Sequence, residues 1–157
     1  MQRMATAAQL DFADRAGRFY VRQYGFAPVT GRLLGYLAVC DPPAQTIADL
    51  AEALRASRSA ITGSVKQLEG LGTVQRTRAA GDRVDHVSID PAGLEPKGFD
   101  PAEYQQQAAL AREALGLLTD APPARRAVLE EAAALNDFLA RRLPELLAEW
   151  RAERGAG

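Results

Sequence analysis

Between residues 57 and 72 the chain reads SRSAITGSVKQLEGLG, and its polar residues are spaced for contact rather than for plain solvation. Ile61, Val65, Leu68 and Leu71 fall on one stripe of a 3.6-residue helix. The opposite face holds Arg58, Ser59, Thr62, Gly63 and Lys66, with no acid and no large apolar side chain. Such a face offers a guanidinium fork that donates two parallel hydrogen bonds, hydroxyls that donate or accept, and an ammonium suited to phosphate. Ser59 and Gly63 keep the surface low, so the backbone can come close to a partner. Ser57 stands as N-cap, where free backbone N–H groups favour an anion.

These dimensions and residue types suit a DNA major groove. A helix of about 14 residues is roughly 21 Å long, and the groove is about 12 Å wide and 8.5 Å deep. Arg58 is expected to reach guanine O6 and N7, Thr62 a base or a thymine methyl, and Lys66 and Ser57 phosphates. A solvated surface helix can carry the same residues, so the assignment depends on the segment C-terminal to it.

Beyond Gly72 the period changes from 3.6 to 2. TVQRTR (73–78) and RVDHVSID (83–90) read as two short strands joined by Ala79-Ala80-Gly81-Asp82, a tight-turn composition. Arg76, Arg78 and Arg83 cluster on this hairpin. Arg83, just past the turn, is placed to enter a minor groove and sense its negative potential. Asp82 is expected to fix the turn and orient Arg83. Over residues 55–83 six basic residues face only Glu69 and Asp82, although the whole chain has a net charge of −1. A basic hairpin can also be solubilising decoration, but helix and hairpin in this order favour DNA.

Other elements must position these two. Residues 6–24 read as a helix capped by Thr6, with Phe12, Ala16, Phe19 and Tyr20 on one face. Pro28 opens a second, with Leu33, Leu34, Leu37 and Cys40 as its stripe and Asp41-Pro42-Pro43 as its end. Thr46 and Asp49 form a capping-box-like start for IADLAEAL, and Arg55-Ala56-Ser57 joins that short helix to the next. Residues 91–99 read as loop. Asp100-Pro101 starts a helix with Tyr104, Ala108, Ala111, Leu115 and Leu118 inward. Pro122-Pro123 precedes a long last helix on which Val128, Ala132, Leu135, Leu139, Leu143, Leu146 and Trp150 form a stripe, and Pro144 should kink or restart it. The resulting class is mostly α with a small β-hairpin. A winged helix-turn-helix over 26–91 is flanked by N- and C-terminal dimerisation helices, 5–25 and 100–151, in one integrated domain.

The segment GRLLGYLAVCDPPAQTIADLAEALRASRSAITGSVKQLEGLGTVQRTRAAGDRVD (31–85) resembles the MarR-type winged helix-turn-helix, and most of all its GbsR-like branch. The features that carry the resemblance are GRLLGYL followed by DPP, the LAEAL and SRSAIT core, the leucine-glycine joint and the GDR wing tip. They cover about a third of the chain. The resemblance implies a homodimeric bacterial transcriptional regulator, with recognition-helix contacts from Ser57, Arg58, Ser59, Thr62 and Lys66 and a wing contact from Arg83. The family often has a second arginine in the wing; here that position is Val84.

Two recognition helices about 34 Å apart read successive turns of DNA, so a pairing surface is required. Phe12, Phe19, Phe138, Leu139, Leu146 and Trp150 are the apolar residues expected to supply it, unless they pack on the chain's own core. Tyr20, Tyr24 and Tyr36 could line a pocket for a small-molecule effector, an aromatic box holding an ammonium ion by cation–π attraction; three core tyrosines are the plainer reading. The GbsR-like resemblance associates this branch with compatible-solute sensing.

Catalysis finds little support. His86 and Cys40, one of each in the chain, stand on separate elements, and neither a phosphate loop nor a metal-ligand spacing is present. Cys40 reads as a small buried hydrophobe, and one cysteine suits a reducing cytoplasm. No cofactor or metal is expected, and no membrane partner, since no apolar run approaches the roughly 18–20 residues of a membrane span. The expected function is sequence-specific DNA-binding regulation, with repression the anticipated sense. A winged-helix module that binds an acidic protein is the competing reading.

Overall fold

The computed structural model describes residues 4–94 and 100–156. They fall into two compact units, the first holding residues 4–94 and the second residues 100–156. Within the segment 91–99, expected to be loop, residues 91–94 form a 3-10 turn and the rest lies outside the described residues.

The first unit runs α1 (Ala7–Tyr24), α2 (Pro28–Leu37), β1 (Gln45–Thr46), α3 (Ile47–Leu54), α4 (Arg58–Gly70), β2 (Val74–Thr77) and β3 (His86–Ile89). Both anticipated starts are present as reciprocal caps: Thr6 with Gln9 on α1, and Thr46 with Asp49 on α3. α1 lies in this unit because it packs along α2. The two helices meet through glycine: a Cβ on Gly31 would stand 2.7 Å from the Gly17 carbonyl oxygen, so neither position can carry a side chain at this spacing. Arg32 then fastens the pair, its Nε donating to Asp14 Oδ1 at 2.6 Å and its Nη1 to the Leu54 carbonyl at 3.0 Å, which ends α3.

The core of this unit is apolar and continuous. Leu33, Tyr36 and Leu37 of α2 meet Leu50 and Leu54 of α3, Ile61, Val65 and Leu68 of α4, and Val74 and Val87 of the sheet. The hairpin gains a strand that its sequence does not announce. The sheet is antiparallel in the order β1-β3-β2, with Gln45 opposite Val87 and Arg76 opposite Val87 on the other side. β1 is two residues long, too short for an alternation to register. β3 begins at His86, not at 83, because Arg83–Asp85 bend away from the ladder. Leu71 is a further departure: it is the C-cap of α4 and 41% exposed, since the apolar stripe has rotated off the core by the last turn.

The second unit pairs α5 (Pro101–Leu117) with α6 (Pro123–Gly155). Asp100 caps α5 by accepting from the Ala102 N–H. Arg126 reaches back to the carbonyls of Leu115 and Leu118, at 3.2 and 2.7 Å, and closes the C-terminal end of α5. Arg112 pairs with Asp137 across the two helices. The expected restart at Pro144 does not occur. α6 runs through it, since one missing N–H removes a single ladder bond from a 33-residue helix. Its buried residues are Ala133 and Leu143, while Val128, Leu135, Phe138, Leu146 and Trp150 remain exposed. No helix among the described residues is long and apolar enough to cross a membrane.

Candidate nucleic-acid interface

α4 is anchored from inside. Ile61, Val65 and Leu68 are fully buried, and the Ser64 hydroxyl is bonded at 2.7 Å to the Thr30 hydroxyl of α2. This fixes the roll of the helix. Ser57, Arg58, Ser59, Thr62, Gly63 and Lys66 therefore all face out. Ser57 is the N-cap as anticipated, its Oγ accepting from the Ala60 N–H at 3.1 Å and lying 3.2 Å from the Ser59 hydroxyl. A Cβ on Gly63 would meet nothing within 4 Å, so glycine there serves no packing need and leaves a shallow outer surface. Among the described residues neither Arg58 nor Lys66 has an ion-pair partner, so both cations are available.

The wing distributes its arginines differently. Its turn closes through the Asp82 N–H donating to the Ala79 carbonyl at 3.0 Å, with Gly81 at φ 91°, a left-handed conformation that favours glycine. Arg83 is exposed next to this turn and has no ion-pair partner among the described residues. Asp82 does not hold it; the Asp82 carboxylate lies 3.9 Å from His86 Nδ1. Arg78 donates to Asp85 at 2.8 Å, a contact that raises the arginine's pKa and holds the carboxyl below its usual range. Arg76 donates to Glu69 at 3.0 Å and ties β2 to the last turn of α4. Of the three wing arginines only Arg83 is uncommitted among the described residues.

Several features of the surroundings carry little or no sequence signal. Arg55, the C-cap of α3, sits at φ 50°, the one described non-glycine residue with positive φ, at the joint that hands the chain to α4. Its position in a tight helix-turn-helix joint is the only sequence signal for that conformation. The partners Glu69 and Asp85 sit seven residues from Arg76 and Arg78 on other segments, a spacing with no local periodicity to reveal it.

The three tyrosines do not come together as a box. Tyr20 stacks on Tyr24 at 6.1 Å, in a ladder that continues from Phe19 at one end to Phe26 at the other. Tyr36 takes no part in it: it is 2% exposed in the core and lines a separate cavity. Cys40 is buried, and burial pushes its thiol pKa up, away from the reactive thiolate. Of the expected pairing residues, Phe12, Phe19, Phe138, Leu146 and Trp150 are exposed and Leu139 is half-buried. Arg141 lies over the Phe138 ring and Arg154 over the Trp150 ring, each at 5.7 Å.

The chain resembles known proteins along most of its length. A MarR family model matches residues 24–83, and a model described as MmpR5-like MarR family transcriptional regulator matches residues 100–153. The HTH-type transcriptional regulator MmpR5 of Mycobacterium tuberculosis is 35% identical over 135 residues, covering 83% of this chain and 78% of that protein. A crystal structure of a transcriptional regulator superposes with a TM-score of 0.80 at 28% identity, over 92% of this chain and 99% of the other. The mostly helical fold with its small antiparallel sheet is therefore the winged helix of these regulators. A helix that presents unpaired cations over a shallow polar face, beside a basic hairpin, is what a DNA-binding regulator requires, and this chain belongs to the MarR family of transcriptional regulators.

Proposed function

We propose that the protein is a homodimeric repressor that inserts α4 into the major groove and the hairpin tip into the adjacent minor groove. The observation that carries this reading is the outer face of α4, where Arg58 and Lys66 stand exposed and unpaired among the described residues, above Ser59, Thr62 and Gly63. Arg58 reads guanine, Thr62 supplements it, and Ser57, Ser59 and Lys66 hold phosphates. Arg83 probes the minor groove, while Arg76 and Arg78 join the interface by exchanging their carboxylate partners for phosphates. Helix α1 and residues 100–151 provide the dimerisation region, through Phe12, Phe19, Phe138, Leu139, Leu146 and Trp150. Support for the pairing role is the exposure of these aromatic and aliphatic side chains on helices already folded.

Within the family, the motifs of residues 31–85 favour a GbsR-like reader, and regulation responds to a small molecule. The setting is the cytoplasm, where the operator is. The test is fluorescence anisotropy against the DNA upstream of the chain's own gene, beside a shuffled duplex, at two salt concentrations. Preference for the upstream fragment is expected, with a slope of log K against log[salt] near −7 if about eight phosphates are met. A shallow slope with no preference between duplexes would turn the basic face toward an acidic protein partner instead.

A further inference from the structure

The first unit holds a cavity of about 320 Å³ that opens to solvent, within the range of small-molecule sites. Leu10 of α1, Tyr36 of α2, Gln45 of β1 and Asp49 and Glu52 of α3 line it, with Arg55. Two buried side chains in its lining, Tyr36 and Gln45, keep polar atoms with no partner among the described residues. Tyr36 is 2% exposed, yet its hydroxyl has no hydrogen-bond partner among the described residues. No described side-chain oxygen or nitrogen is both sealed from solvent and unpartnered, so the small opening of Tyr36 lies at that hydroxyl, on the cavity. Burial, with Cys40 and Asp49 nearby, pushes its pKa up and keeps it a neutral O–H. Gln45, 3% exposed, donates its amide N–H to the Pro42 carbonyl at 2.6 Å and leaves Oε1 with no donor among the described residues.

Charge narrows what can complete this set. Glu52 is exposed and has no ion pair among the described residues, whereas Asp49 is engaged, its carboxylate accepting from the Thr46 N–H. Among the described residues Arg55 is the one cation in the walls, and it is exposed. An unpaired carboxylate at Glu52 disfavours an anion. Gln45 Oε1 and the Glu52 carboxylate only accept and ask for N–H donors, which a quaternary ammonium lacks, while the Tyr36 hydroxyl can accept or donate. Leu10 and the Tyr36 ring offer an apolar wall.

We propose that this cavity is a binding site for a small protonated amine, its ammonium donating to Glu52 and Gln45 beside Tyr36 and its apolar body lying against Leu10. Resting on the DNA-binding function proposed for α4, the amine acts as effector. Asp49, Glu52 and Arg55 all belong to α3 and its C-cap, the element that hands the chain to α4. Filling the cavity loads that joint, and a differential affinity for its two settings changes DNA affinity.

The test is isothermal titration calorimetry of the full chain with phenethylamine, beside 3-phenylpropionate and phenethyltrimethylammonium, followed by anisotropy on operator DNA with and without the amine. Phenethylamine is expected to bind at least about tenfold more tightly than either control. Glu52→Gln should weaken it by about tenfold or more, and Tyr36→Phe by a few-fold, consistent with losing hydrogen bonds to a charged group. Glu52 is a surface residue, so that variant keeps the fold even if Tyr36→Phe disturbs the core. Absence of amine binding, equal binding of all three probes, or unchanged affinity in Glu52→Gln overturns the site. Amine binding that leaves operator affinity within twofold overturns its role as effector. If the chain binds no DNA at all, the regulator reading fails while the calorimetry still decides the site.

Discussion

The hydroxyls of Thr30 and Ser64 meet at 2.7 Å, both buried, one on α2 and the other on the inner face of α4. This bond decides which side of α4 faces out. Ser64→Ala would leave the Thr30 hydroxyl buried without a partner, at a cost of about 1–3 kcal/mol. The denaturant midpoint should fall with little change in slope. Adding Thr30→Val, which removes the orphaned hydroxyl, should recover part of the loss. Equal stability of Ser64→Ala and wild type in urea titrations would show that apolar packing alone seats the helix.

Arg58 and Lys66 are both exposed and unpaired among the described residues, yet their expected losses differ in kind. Arg58→Ala should cost about 1–3 kcal/mol on the operator and much less on shuffled DNA, flattening sequence preference. Lys66→Ala should weaken both duplexes alike and reduce the salt slope by about 1. Anisotropy on the two duplexes separates the outcomes; equal losses from Arg58→Ala would remove its base-reading role.

The wing yields a prediction with the opposite sign. Arg78 is engaged with Asp85, and that contact keeps the Asp85 carboxyl below its usual range. A carboxyl so depressed stays ionised above its ordinary pKa, and the pair is lost only as pH falls through the lower folded value. Mild acid therefore does not release Arg78. Asp85→Asn does, and general DNA affinity should rise, with a salt slope steeper by about 0.9 for the added phosphate contact. Unchanged affinity in the variant would mean that Arg78 stands clear of the duplex.

Gly31 and Gly17 let α1 and α2 pack more closely than any side chain permits. Gly31→Ala places a methyl against the backbone of the opposite helix, where nothing flexible can yield. A destabilisation of about 1–3 kcal/mol is expected from overpacking, read as a lower thermal midpoint. Gly63→Ala, on the open face of α4, is the control and should leave stability unchanged or slightly raised.

Trp150 and Leu146 stand exposed on α6. If they pair with a second copy, Leu146→Glu together with Trp150→Glu should convert a dimer to a monomer in sedimentation equilibrium while the helical circular dichroism persists. A dimer that survives both changes would move the pairing surface elsewhere.

The order of elements and the outer face of α4 were readable because they rest on local periodicity and caps, each contained within a few residues. Thr6, Thr46, Ser57 and Asp100 all cap the helices whose starts they mark. What escaped depends on groups that meet across the fold. The pairing of Arg76 with Glu69 and of Arg78 with Asp85 needs the hairpin to be laid down first. The isolation of Tyr36 from Tyr20 and Tyr24 depends on α2 turning that ring into the core. β1 pairs with β3 through two residues, and no pattern of two can be distinguished from chance.

The outer-face residues of α4 and the exposed row of Phe138, Leu146 and Trp150 belong to different units of the chain. That division has a genetic consequence. If α4 reads DNA and α6 pairs as proposed, a substitution at Arg58 should spoil reading and leave pairing untouched, so the altered chain would still capture a normal partner. In a cell carrying both alleles, equal expression would leave about a quarter of the dimers with two working readers, by random association. Lesions in α4 should therefore be dominant over the normal allele. Lesions at Leu146 or Trp150 should be recessive, because a chain that cannot pair cannot interfere.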